Sequence, residues 1–223
     1  MTTALTRNQT LLFVAMGCVF IVLRAMSVEG LLPVLLKPLP ILLLAWVAWR
    51  NLRGRLRAGI TAALLFSALG DVLLALQFPG QFVSGLGAFL IAQLIYTYNF
   101  LREAEWRAGI FSRRIAPLIA AAVALAVIIL PLAAGMQAPV AVYLCAITAM
   151  AVCAAAVSPP SGVLFAGALA FMLSDSLIAI NKFVQPFVGS DVAIMVTYYL
   201  AQLLIVSGLL RRQAAQQAGS TQE

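Results

Sequence analysis

Apolar residues run along this chain in stretches of about twenty, and charge, proline and glycine fall mainly between the stretches. The runs cover residues 9–26, 31–49, 58–77, 82–101, 115–133, 138–157, 161–181 and 191–210, with ends set only to within a few positions. Most are long enough to cross the ~30 Å hydrocarbon core of a bilayer as a helix. The predicted fold class is all-α. It is a polytopic bundle of about eight transmembrane helices in which residues 1–223 form one domain, with a short polar tail at 211–223.

The basic residues give the bundle a direction. Arg7, Arg50, Arg53, Arg55, Arg57, Arg102, Arg107, Arg113, Arg114, Arg211 and Arg212 all fall on one side, against Arg24 and Lys182 on the other. The positive-inside rule then sets both termini in the cytoplasm, which requires an even number of spans. The opening MTTALTRNQT carries one Arg before an apolar run, as a signal peptide does, but no small-residue cleavage site follows before Arg24. The run is read as a retained first helix, in a bacterial inner membrane rather than an outer-membrane barrel.

Composition narrows the chemistry. With 64% hydrophobic and 9% charged residues and a mean hydropathy of +1.06, no separate soluble domain fits. The net charge of +7 sits at span ends, so it reports topology and not nucleic-acid binding. There is no histidine, which removes a Ser-His-Asp triad, a His-paired cysteine and a histidine-ligated zinc site together. Cys18, Cys145 and Cys153 lie inside apolar runs and read as small hydrophobic side chains, not as a disulfide or metal set. No cofactor is expected, and two carboxylates without further ligands are too few for a dedicated metal site.

Three ionisable residues remain inside the spans: Lys37, Asp71 and Asp175. A charge near the bilayer centre costs ~2.5–3.5 kcal/mol on insertion scales, so such residues face the bundle interior and find partners. Each lies about six residues, or ~9 Å, from the predicted outer end of its helix, which sets all three at one depth. The expectation is a single cluster of one cation and two carboxyl groups, with one carboxyl protonated and the other held ionised by Lys37. For Lys37 the competing reading is snorkelling to the interface; short Asp side chains cannot do the same. Pro38 and Pro40 beside Lys37 remove amide donors and predict a broken helix.

Other polar side chains surround this level: Ser67 one turn before Asp71, Gln93, Tyr96 and Asn99 in the fourth span, and Tyr198, Tyr199 and Gln202 in the eighth. Gln93 and Tyr96 share a helix face, as do Tyr199 and Gln202. They are candidates for a substrate pocket, with interhelical hydrogen bonding as the structural alternative. An echo between FSALGDVLLAL (66–76) and FMLSDSLIAIN (171–181), continued by IAQLIY (91–96) and LAQLLI (200–205), predicts a parallel four-plus-four repeat.

The segments KPLPILLL (37–44), LLFSALGDVLLAL (64–76), GLGAFLIAQLIY (85–96), SDSLIAINKF (174–183) and TYYLAQLLI (197–205) together resemble the YhhN-like transmembrane family, which includes the lysoplasmalogenases. The resemblance implies an eight-helix membrane enzyme that hydrolyses the vinyl ether bond of a lysophospholipid substrate to a fatty aldehyde, with Asp71 and Asp175 as its catalytic pair: one is the general acid and the other stabilises the cation and activates water, in either order. Lys37, Ser67, Gln93, Tyr96, Asn99, Tyr199 and Gln202 are the candidate substrate-binding residues beside that pair, with Lys37 for the lipid phosphate and Tyr96 or Tyr199 for the glycerol. One departure is Gln93, where the resemblance leads one to expect histidine. A proton-coupled transporter or lipid-handling protein would use the same carboxylates without covalent change. A purely structural bundle has only the small residues of AAAVALAV (120–127) in its favour. No protein partner is indicated beyond the membrane lipid itself.

Overall fold

The first helix, α1 (Arg7–Ala25), opens on a reciprocal cap: Thr6 Oγ1 accepts from the Gln9 amide at 3.2 Å, and Gln9 Oε1 accepts from the Thr6 amide at 2.9 Å. In the computed structural model, which describes residues 5–106, 109, 111–158 and 162–219, every regular element is helical among the described residues. Then follow α2 (Leu31–Leu36), α3 (Leu39–Asn51), α4 (Gly54–Ala75), α5 (Gln81–Leu101), a π-helical turn (Phe111–Ile115), α6 (Ala116–Ile129), α7 (Gln137–Ala156) and α8 (Gly162–Ala179). A second π-helical turn (Ile180–Val184) leads to α9 (Ser190–Gly219).

Seven described segments are long and apolar enough to cross a membrane, with α2 and α3 counting as one interrupted span. The eighth, α6, has 14 residues and continues from the first π turn. The run read as 115–133 is thus shorter as regular helix, because Pro131 and Gly135 follow it and Gly135 takes a positive φ. The tail differs as well. Residues 211–219 continue α9, since RRQAAQQA holds good helix formers and no breaker, while 220–223 and Arg107 lie outside the described residues.

The interior is built on two close helix pairs, α4 with α5 and α8 with α9. Small residues permit the approach. A Cβ on Gly70 would stand 2.6 Å from the Phe89 ring, and one on Gly167 would stand 2.7 Å from the Ile205 amide nitrogen. Helix α1 buries only Phe13, Gly17 and Phe20, a stripe that packs on Tyr199 of α9.

The two ends of the bundle are tied differently. At one, Arg212 of α9 is buried and donates to Glu103 Oε2 at 2.7 Å and to the Ser158 carbonyl, while the Glu105 amide donates to the Ala156 carbonyl at 2.8 Å. At the other, a more exposed Arg24–Asp191 ion pair joins the end of α1 to the start of α9. Lys37, Asp71 and Asp175 all lie toward the Arg24 end, in keeping with the predicted common depth.

Candidate functional site

The proline pair breaks the second span where expected. Helix α2 stops at Leu36, Pro38 caps α3, and Pro40 sits in the first turn of α3, where a missing amide costs little. The Lys37 carbonyl at the break accepts from the Tyr199 hydroxyl at 2.7 Å. The Lys37 ammonium turns to α4 and stands 3.7 Å from Asp71 Oδ1. From α9, the Tyr198 hydroxyl donates to Asp71 Oδ2 at 2.9 Å. Asp71 is 1% exposed, so its charge is balanced inside the bundle by a cation and one neutral donor.

Asp175 on α8 has a different set of partners. The Tyr143 hydroxyl of α7 donates to Oδ2 at 2.6 Å, and Gln93 Nε2 of α5 donates to the same oxygen at 2.8 Å. No cation pairs with it among the described residues. Gln93 is fully buried, and with its amino group committed to Asp175 its Oε1 is left without a partner. An unmet buried acceptor costs about 1–3 kcal/mol, so this orientation is favoured by the carboxyl group and not by Gln93's own satisfaction.

The expected three-way cluster is therefore two centres. Lys37 joins Asp71, while Asp175 stands with Tyr143 and Gln93. An aromatic trio connects them: Phe89 and Phe171 meet Tyr198 with ring centroids 5.6 and 5.7 Å away, and these two phenylalanines lie one turn before Gln93 and Asp175. The donors cross over, since α9 serves the acid of α4 and α5 serves the acid of α8.

Two cavities meet at this level. A polar one of about 790 Å³ lies at the Arg24 end and is lined by Arg24, Glu29, Lys37, Gln77, Gln81, Asn181, Lys182 and Asp191 among others. A small apolar one of about 40 Å³ is lined by Leu86, Phe89, Val140, Tyr143, Asp175 and Phe183 among others. Leu74, Phe82 and Ile178 line both. Lys37 borders the polar cavity and Asp175 the apolar one, whereas Asp71 lines neither and lies behind Lys37.

The family of the chain is decided by a match to the model of the YhhN family over residues 32–209, a stretch that contains all three intramembrane ionisable residues. The chain belongs to the YhhN family. It is 35% identical over 178 residues to the human lysoplasmalogenase TMEM86B, covering 79% of this chain and 75% of the relative. To a Mycobacterium bovis lysoplasmalogenase it is 36% identical over 172 residues, covering 74% of this chain and 66% of the relative. No solved structure matches the chain.

In this YhhN chain the remaining pocket candidates stand behind the cavity walls. Tyr96 donates to Gln202 Oε1 at 2.7 Å and Gln202 Nε2 donates to Ser67 Oγ at 3.1 Å, a closed interhelical chain. Asn99 donates to the Ile95 carbonyl of its own helix at 2.7 Å and packs on Gly59. Tyr199 serves the helix break. Sequence reasoning passed over Tyr143, the one tyrosine in the apolar run VYLCAITAM, and did not connect Tyr198 to an acid. The signal for Tyr143 was its depth: a tyrosine away from the interface needs a buried acceptor.

Proposed function

We propose that this chain is a lysoplasmalogenase of a bacterial cytoplasmic membrane. It hydrolyses the vinyl ether bond of a lysophospholipid to a fatty aldehyde and a glycerophospho-alcohol. The carrying observation is that Asp175 lines an apolar cavity whose wall is shared with a polar cavity bordered by Lys37. An amphiphile with an anionic headgroup and an alkenyl chain matches that division. The named relatives support the same reaction.

Asp175 acts as the general acid. Its proton goes to the alkene carbon remote from the ether oxygen, the C=C electron pair forms the new C–H bond, and an oxocarbenium cation results. The Asp175 carboxylate left behind lies beside that cation, oriented by the Tyr143 and Gln93 donors on Oδ2. Water adds to the carbon next to oxygen as Asp175 takes back a proton. The hemiacetal then breaks at its C–O bond, with its hydroxyl proton passing to the departing glycerol oxygen. Water is the one co-substrate, and Asp175 ends as it began.

Asp71 has a different task. It is a positioning residue that fixes the Lys37 ammonium at the wall of the polar cavity, where it receives the lipid phosphate. The test is aldehyde release by purified protein from a lysoplasmalogen and from its saturated ether counterpart, which has no alkene carbon to protonate. Release from the vinyl ether alone is expected. Folded protein that releases nothing, or that moves the lipid unchanged across vesicle membranes, would overturn the assignment.

A further inference from the structure

The two cavities are separate in this structure, yet a substrate with its phosphate at Lys37 and its double bond at Asp175 must occupy both. Their shared wall contains Phe82, the second residue of α5. Two consecutive residues of the π-helical turn after α8 hold this ring. Lys182 Nζ lies 5.0 Å from its centroid, and Phe183 meets it edge to face with centroids 5.9 Å apart. Lys182 also lines the polar cavity, and Phe183 lines the apolar one.

We propose that Lys182 and Phe82 form a phosphate-operated gate between the cavities. This rests on the lysophospholipid reading above. A cation on an aromatic face is a weaker partner than a cation on a phosphate oxygen, so an anionic headgroup entering the polar cavity draws Lys182 off the ring. Phe82 then loses the cation on its face while keeping its edge contact with Phe183, and it turns aside to join the cavities. The π turn suits this role, because such turns are rare within helices and recur at functional sites. Lys182 is exposed at the cavity surface, so its side chain is free to exchange partners. The consequence is a specificity rule: the phosphate governs access of the alkenyl group to Asp175, and so turnover as well as binding.

Access to the apolar cavity reads the gate without hydrolysis. With Cys18, Cys145 and Cys153 replaced by alanine, an Ala179→Cys variant carries a thiol on the wall of the apolar cavity. Glycerol 3-phosphate should speed its labelling by a small methanethiosulfonate severalfold, and glycerol should not. With Lys182→Gln added, labelling should be fast and indifferent to either compound. Equal labelling with and without glycerol 3-phosphate in the Lys182 protein would overturn the gate whether or not the chain hydrolyses anything. In turnover, wild type should favour a lysoplasmalogen over the phosphate-free alkenylglycerol about tenfold or more in kcat, and Phe82→Ala should bring that ratio near one. An unchanged ratio in Phe82→Ala would also overturn it, whereas absence of hydrolysis with gated labelling would overturn only the reaction.

Discussion

Asp71 and Asp175 occupy similar depths on two helices of echoing sequence, and their surroundings differ. Asp71 is sealed off, paired with Lys37 and touched by Tyr198, and it reaches neither cavity. Asp175 faces an apolar cavity, accepts from two neutral donors on one oxygen and has no described cation as partner. Identical side chains thus differ in whether a cation pairs with them and whether a cavity reaches them. A carboxyl group that organises a binding cation belongs behind the wall; one that hands over a proton belongs at the surface.

The largest expected effect separates the two on activity. Asp175→Asn keeps an acceptor for Tyr143 but has no proton to give, so aldehyde release should fall by roughly 10²–10⁴-fold, the usual weight of a general acid, with a near-native melting temperature in detergent. Asp71→Asn should do the reverse. It strands the Lys37 ammonium in a mostly buried site, at a cost on the order of 3 kcal/mol in stability, while residual turnover persists with a raised KM.

The tyrosines sharpen the same contrast. Tyr143→Phe removes the 2.6 Å donor to Asp175 and should lower kcat by roughly 10- to 100-fold, because a hydrogen bond to a charged group is worth ~1.5–3 kcal/mol when the cation forms beside it. Tyr198→Phe removes the donor to Asp71 and should appear mainly as a lower melting temperature, about 1.5–3 kcal/mol of stability, with kcat little changed. Equal kcat losses for the two would erase the distinction. The smallest effect on activity is expected at the far end of the bundle. Arg212→Ala breaks a buried tie to Glu103 and Ser158, and should lower thermal stability while the specific activity of folded protein stays as it was.

Much of this was legible in the sequence for reasons of periodicity. The spans follow from apolar run length, the break follows from Pro38 and Pro40, and the common level of Lys37, Asp71 and Asp175 follows from helical rise, which converts residue count into height but does not say which Asp meets Lys37. Depth alone does not give azimuth. Each residue turns a helix by about 100°, and the helix order around the bundle is not written in any one span, so Asp175 was expected beside Lys37 and instead turned to α5 and α7. Ser67, Gln93, Tyr96, Asn99, Tyr199 and Gln202 were all recognisable as interior polar groups. Whether they faced a cavity or one another depended on packing, as the Tyr96–Gln202–Ser67 chain illustrates. Tyr143 was hidden by its apolar neighbours, the one tyrosine in a span with no ionisable carboxyl or basic group to draw attention to it.

The most direct test of the proposed roles of Asp71 and Asp175 is chemical rescue. Truncation of Asp175 to alanine should leave a space open to the apolar cavity, into which added formic acid can bring a proton; truncation of Asp71 should leave a space that opens on neither cavity. Formate added at mildly acidic pH should restore aldehyde release to Asp175→Ala and leave Asp71→Ala unchanged. Restoration in Asp71→Ala, with none in a folded Asp175→Ala, would contradict the assignment of Asp175 as the group that touches substrate.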